Sequence, residues 1–152
     1  MTYASAIPDP HRQPAFYASV PTKRLIAWVI DLGFTAVIAA ALTVPALLFG
    51  VVLILPLLFI PVIWATTGFF YRWFSLASGS ATWGMRLMAI ELRANDGQRI
   101  DSGTALLHTA GTYASFAIVP LQIISVAAMA LTERGQGLTD MVLGTTMLNR
   151  RA

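Results

Sequence analysis

The chain has no cysteine, so neither a disulfide framework nor a thiolate metal site is open to it. Charge is scarce as well: Asp, Glu, Lys and Arg make up 11% of the 152 residues, against about a quarter in an average soluble domain. Between Leu25 and Phe70 the only charged side chain is Asp31. The two histidines, His11 and His108, have no carboxylate at ligand spacing, which argues against a zinc site or any other bound metal. No Ser/His/Asp arrangement fits nucleophilic catalysis, because the acids and the histidine lie on different segments, and no enzyme is expected. "GSATWG" has the spacing of a phosphate-binding glycine loop, yet Met85 and Arg86 follow where Lys and Ser or Thr belong. The first 22 residues hold no apolar run resembling a signal-peptide core. Internal repeats and low-complexity tracts are absent, and no cofactor is called for.

What the chain has in abundance is apolar side chains, 57% of the total. The 46 residues from Leu25 to Phe70 would make a straight helix about 69 Å long, against a hydrocarbon core of roughly 30 Å. Such a run must turn back once. Pro45, Gly50 and Pro56 stand in its middle, and the turn is expected near Pro45 to Gly50. The expected fold is an all-α integral membrane protein with spans at about 24–45 and 50–75. A third apolar segment at 104–131 is either one tilted span or two half-length pieces divided at Pro120.

Three stretches flank these segments. Residues 1–22, with three prolines by position 14, read as a disordered cytoplasmic tail ahead of a membrane domain at 23–149. The loop at 76–103 centres on Asn95-Asp96-Gly97, a signal for a short cytoplasmic β-hairpin. Residues 150–152 form a basic end. Lys and Arg favour the cytoplasmic side, and they cluster in the tail (Arg12, Lys23, Arg24), the loop (Arg86, Arg93, Arg99) and the C-terminus (Arg134, Arg150, Arg151). A bacterial inner membrane with a cytoplasmic N-terminus is the expected location. Three full spans would place the C-terminus outside, so the basic C-terminal end favours a broken or re-entrant third segment.

Arg24 and Asp31 lie seven residues apart, within about 20° on one helix face but about 10.5 Å along it, too far for a local ion pair. A carboxylate at a helix centre in the bilayer costs roughly 2.5–3.5 kcal/mol, so Asp31 needs a hydrogen-bonded protein partner, a proton or a cation. His108, Ser115 and Gln122 repeat every seven residues, with Thr112 one turn from His108, and make a polar stripe. This stripe either supplies interhelical hydrogen bonds or, with Asp31, relays a proton or cation. Small residues four apart, Ala36 with Ala40 and Gly111 with Ser115, suit close helix packing. Asp140, after Gly137 and Thr139, either caps a helix or reaches Arg24 across the chain. The second option puts both chain ends on one side and lets "TTML" pair with a strand near Leu87 to Leu92.

"RLIAWVIDL" resembles the opening signature of the RDD family of small membrane proteins, named for an arginine and two aspartates. "GSATWGMRLMAIEL" is similar to its loop signature, and "RGQGLTDMVLGTTML" to its C-terminal one. The resemblance covers about residues 21–149, and position by position it assigns the eponymous residues to Arg24, Asp31 and Asp140. Where family members commonly carry an arginine early in the third apolar segment, this chain has His108 in "ALLHTAGTY". The resemblance implies a membrane fold, and transport, with cation/proton exchange among some members.

Two functions follow as expectations. One is cation or proton transport by an oligomer, since two or three spans hardly enclose a pathway. The other is a non-catalytic accessory or assembly subunit of a larger membrane complex. The bilayer is a partner in both, joined by further copies of the chain or a larger complex. Nucleic acid is not expected, because the basic loop residues are mixed with acids beside apolar helices.

Overall fold

The structure, a computed structural model, describes residues 7–50 and 59–150. Helix α1 spans Val20–Gly50, with Pro21 in its first turn, where a missing N–H breaks no helical bond. Helix α2, Ile60–Gly79, also starts on a proline and ends at Ser80 in the left-handed conformation. A short helix, α3, follows at Trp83–Leu87 and leads into strand β1, Ile90–Ala94. Helix α4, Ser102–Ala117, is capped by the Asp101 side chain, which accepts from the Gly103 and Thr104 N–H groups. A further bond from the Thr104 hydroxyl, at 2.7 Å, acts most strongly in holding the Asp101 carboxyl below its usual range, with the backbone N–H groups adding to it. Helix α5, Val119–Leu131, begins on Pro120, and α6, Leu138–Leu143, leads into strand β2, Thr145–Asn149.

Pro45 lies inside α1, so the chain does not turn between Pro45 and Gly50 as expected. A helix in apolar surroundings keeps its backbone bonded internally, and one missing N–H there is tolerated more readily than an opened turn. Any reversal falls after Gly50, and the first part of the expected 50–75 span, residues 51–58, lies outside the described residues. Among the described residues α1 alone is long and apolar enough to cross a membrane; α4 and α5 together pass the same test as a pair bent by 117°. The segment at 104–131 is therefore two helices broken at Ile118, where Pro120 cannot continue the ladder of α4 and instead opens α5.

The loop hairpin is a correction as well. Only a single bridge, Arg93 to Arg99, closes the Asn95-Asp96-Gly97 turn. The ladder of β1 runs to β2, antiparallel, from Ile90 opposite Asn149 to Ala94 opposite Thr145. Beneath this sheet lies the core: Leu76, Met85, Ile90, Leu92 and Met147 with Val20 and Ala27 of α1. The long helices, by contrast, present apolar side chains outward, with Val37 72% and Ile123 64% exposed.

The N-terminal segment is also more ordered than its prolines suggested. From Ile7 onward it folds: Tyr17 donates to the Pro8 carbonyl, a 3-10 turn forms at Pro14–Phe16, and Asn149 of β2 donates to the Ala15 and Ala18 carbonyls. Prolines here fix turns rather than leave the chain loose. Lys23 at the start of α1 donates to Asn149, so the start of the first helix and the last strand share one end of the molecule.

Candidate functional site

Asp31 stands in the fourth turn of α1 with three donors on its carboxylate. The Tyr71 hydroxyl from α2 lies at 2.6 Å, the Thr82 hydroxyl at 2.6 Å and the Gly84 N–H at 2.8 Å. Thr82 is also the N-cap of α3, accepting from the Met85 N–H at 3.2 Å. Gly84 must be glycine: a Cβ there would stand 2.2 Å from the Ala27 carbonyl oxygen and 2.8 Å from Asp31 Oδ1. A hydrogen bond to a charged group contributes about 1.5–3 kcal/mol, so three together outweigh the roughly 2.5–3.5 kcal/mol that a carboxylate costs even at the centre of a membrane helix. Asp31 thus joins α1, α2 and α3.

Asp140 makes the second knot. Its Oδ2 accepts from Arg24 Nη1 at 2.5 Å and the Gly137 N–H at 3.0 Å. Its Oδ1 meets His108 Nε2 at 2.8 Å and the Thr145 hydroxyl at 3.2 Å. Arg24 also donates to the Gly135 carbonyl at 3.2 Å. Asp140 is buried, which alone would raise its pKa, but the Arg24 charge and the His108 and Arg24 hydrogen bonds more than reverse this. Its carboxyl is held below the usual range. Facing a carboxylate, His108 Nε2 carries the proton, and the opposite ring atom, Nδ1, is buried with no partner among the described residues.

Both knots line one cavity of about 440 Å³. Arg24, Asp31 and Arg72 contribute from α1 and α2, His108, Thr112 and Ser115 from α4, Gln122 and Ser125 from α5, and Asp140 from α6. The polar stripe is bonded within itself: Ser115 donates to Gln122 Oε1 at 2.9 Å across the bend between α4 and α5, and Thr112 to the His108 carbonyl. Arg72 differs from the other charged lining residues in having no ion pair or hydrogen bond among the described residues, with its Nε buried.

The contact between Arg24 and Asp140 is the one the sequence raised as an alternative, and Asp140 also caps its own helix through the Gly137 N–H. Asp31 and His108 share the cavity wall but do not hydrogen-bond each other; His108 bonds Asp140 instead. Of the small residues, Gly111 sits at a close approach, where a Cβ would stand 2.8 Å from Thr139 Cγ2, and Ser115 is buried. Ala40 is exposed and Ala36 half-buried, whereas Ala39 is fully buried, so the packed face of α1 is offset from the expected pair. The closest approach of α2 is at Gly68, where a Cβ would collide with the Tyr113 hydroxyl.

Sequence reasoning missed Tyr71, Arg72, Thr82 and Gly84. An arginine between two aromatics, as in "YRW", suits a helix end at an interface, but α2 runs on to Gly79 and so holds Arg72 seven residues inside the helix. The signal for Thr82 and Gly84 lay in "GSATWG", whose glycine answers a carboxylate of α1 rather than a phosphate.

A family model described as RDD family matches residues 18–144. No curated protein and no solved structure matches the chain.

Proposed function

The chain belongs to the RDD family, and from that premise we propose that it is an integral membrane protein taking part in proton-linked cation transport as a homo-oligomer. His108 is the group that takes up the proton. The observation carrying this reading is the cavity: a histidine with an unpartnered Nδ1 lines it together with two arginines and two carboxylates. Ionisable groups on an intramembrane cavity are functional by default. The carboxylates of Asp31 and Asp140 are occupied by protein donors, so they position the site, and the open valence belongs to His108.

In this reading α1 and α2 cross the bilayer, α4 and α5 enter it and return, and both chain ends face the cytoplasm of the inner membrane. The Lys23 to Asn149 and Arg24 to Asp140 contacts support that arrangement, since they need the two ends on one side. The exposed apolar faces of α1 and α5 supply surfaces for lipid and for further copies.

The test is cation-driven proton movement in proteoliposomes, followed with an internal pH dye. Wild-type protein gives a flux that His108→Gln abolishes while the variant stays folded and keeps its oligomeric mass. A wild-type flux at the background of empty liposomes sinks the reading. The alternative is a non-catalytic accessory subunit, favoured by the full hydrogen bonding of Asp31, which makes a latch rather than a site. It requires a companion protein to co-purify in mild detergent.

A further inference from the structure

We propose that the cavity seats the anionic head of a membrane phospholipid, with Arg72 as the residue that binds its phosphate. Arg72 is the starting point. It lines the cavity, its Nε is buried, and it has no ion pair or hydrogen bond among the described residues. Arg72 as a whole is half-buried and only its Nε is closed off, so the terminal nitrogens stay open to an acceptor, and the permanent charge cannot be relieved by losing a proton.

The carboxylates on the same lining do not answer it. Asp140 is in direct contact with Arg24, and Asp31 is held by three neutral donors; neither lies within 4.0 Å of Arg72 as an ion pair. The two arginines and two aspartates balance in formal charge, but both carboxylates are engaged by other donors, which leaves Arg72 as the lining charge without a local partner among the described residues. Guanidinium and phosphate oxygens are matched in geometry for paired hydrogen bonds.

The mouth of the cavity says what the anion is attached to. Leu25, Trp28, Phe116 and Val126 line the cavity and are also 62%, 38%, 45% and 51% exposed, so they stand where it opens outward. Trp28 and Phe116 stack at 6.0 Å. A free phosphate would have no use for this apolar lip, whereas an acyl chain lies against it while the head reaches Arg72. The lip belongs to helices whose outward faces are apolar throughout, so the chain of a bilayer lipid is already beside it.

The experiment measures lipid retention, which is separate from ion flux, so the transport reading can fail without affecting it. Protein reconstituted in nanodiscs with a mixture of phosphatidylglycerol and phosphatidylcholine is extracted into mild detergent, and retained lipid is counted by native mass spectrometry. Wild type is expected to hold one phosphatidylglycerol per chain in preference to phosphatidylcholine. Arg72→Gln should lower that retention at least tenfold. Val126→Trp, which plugs the lip and leaves every charge in place, should do the same, and it decides the matter if Arg72→Gln fails to fold. Equal retention of both lipids by wild type, or unchanged phosphatidylglycerol retention in Val126→Trp, overturns the proposal. So does inorganic phosphate displacing the lipid at millimolar concentration, which would mark a free-anion site.

Discussion

Arg24 and Asp140 are 116 residues apart in the chain and 2.5 Å apart in the fold. The pair draws the C-terminal helix α6 onto the first turns of α1, and the other oxygen of Asp140 reaches His108 on α4. One buried carboxylate therefore fixes the relative positions of the first, fourth and sixth helices. Removing it takes the acceptor from an imidazole, a backbone N–H and a hydroxyl, and leaves Arg24 with the Gly135 carbonyl alone.

Asp140→Ala is accordingly expected to lower stability by about 3–5 kcal/mol, the scale for breaking a buried ion pair on one side. Arg24→Gln should cost less, because Asp140 keeps its partners in His108, the Gly137 N–H and the Thr145 hydroxyl. Denaturant unfolding in mild detergent, followed by tryptophan fluorescence, measures both.

The same pair sets the response to acid. The folded pKa of Asp140 lies below its ordinary value of 3.8. Its stabilising contribution is thus complete above about pH 4 and is lost as pH falls from there through the folded value. Arg24→Gln removes the charge that lowers this pKa, so the variant should unfold at a higher pH than wild type in an acid titration. Coincident acid transitions would count against the assignment.

Two glycines give opposite results. At Gly84 a Cβ would stand 2.2 Å from backbone oxygen, so Gly84→Ala must push α3 away from Asp31 and should yield little folded protein. At Gly33, inside α1, a Cβ meets nothing within 4 Å. Gly33→Ala should stabilise by about 0.5–1 kcal/mol through helix propensity. Thermal denaturation of the two variants side by side makes the comparison.

The cradle of Asp31 is testable by a double-mutant cycle. Tyr71→Phe and Thr82→Val each remove one donor, and each should cost about 1.5–3 kcal/mol. In an Asp31→Asn background both costs should shrink, giving a coupling energy of about 0.5–3 kcal/mol. Strict additivity would mean that the hydroxyls do not act through the carboxylate.

The readable parts of this fold were those with a physical demand visible in the sequence. An arginine and an aspartate in apolar surroundings each need a partner, and an open strand edge needs a neighbour; Arg24, Asp140 and the pairing of β1 with β2 follow from those demands. Pro120 marked a break for the same reason, having no N–H to give. Pro45 misled because a helix can carry a proline in its interior when the rest of its backbone ladder stays bonded, as it does in α1. The partners of Asp31 were hidden for a different reason. Thr82 and Gly84 stand 51 and 53 residues away at the start of a five-residue helix, and only the packed structure brings their donors together.

The proton-accepting role of His108 rests on a ring protonated at Nε2, where Asp140 receives it, with Nδ1 open. Because the chain has two histidines, 15N-histidine labelling gives two separable sets of nitrogen signals, and His108→Gln assigns them. The expected spectrum shows His108 as the Nε2–H tautomer at high pH, gaining a second proton at Nδ1 on acidification before the protein unfolds. A His108 protonated at Nδ1 alone, or one that never titrates while the fold persists, would remove the basis for proton-linked transport.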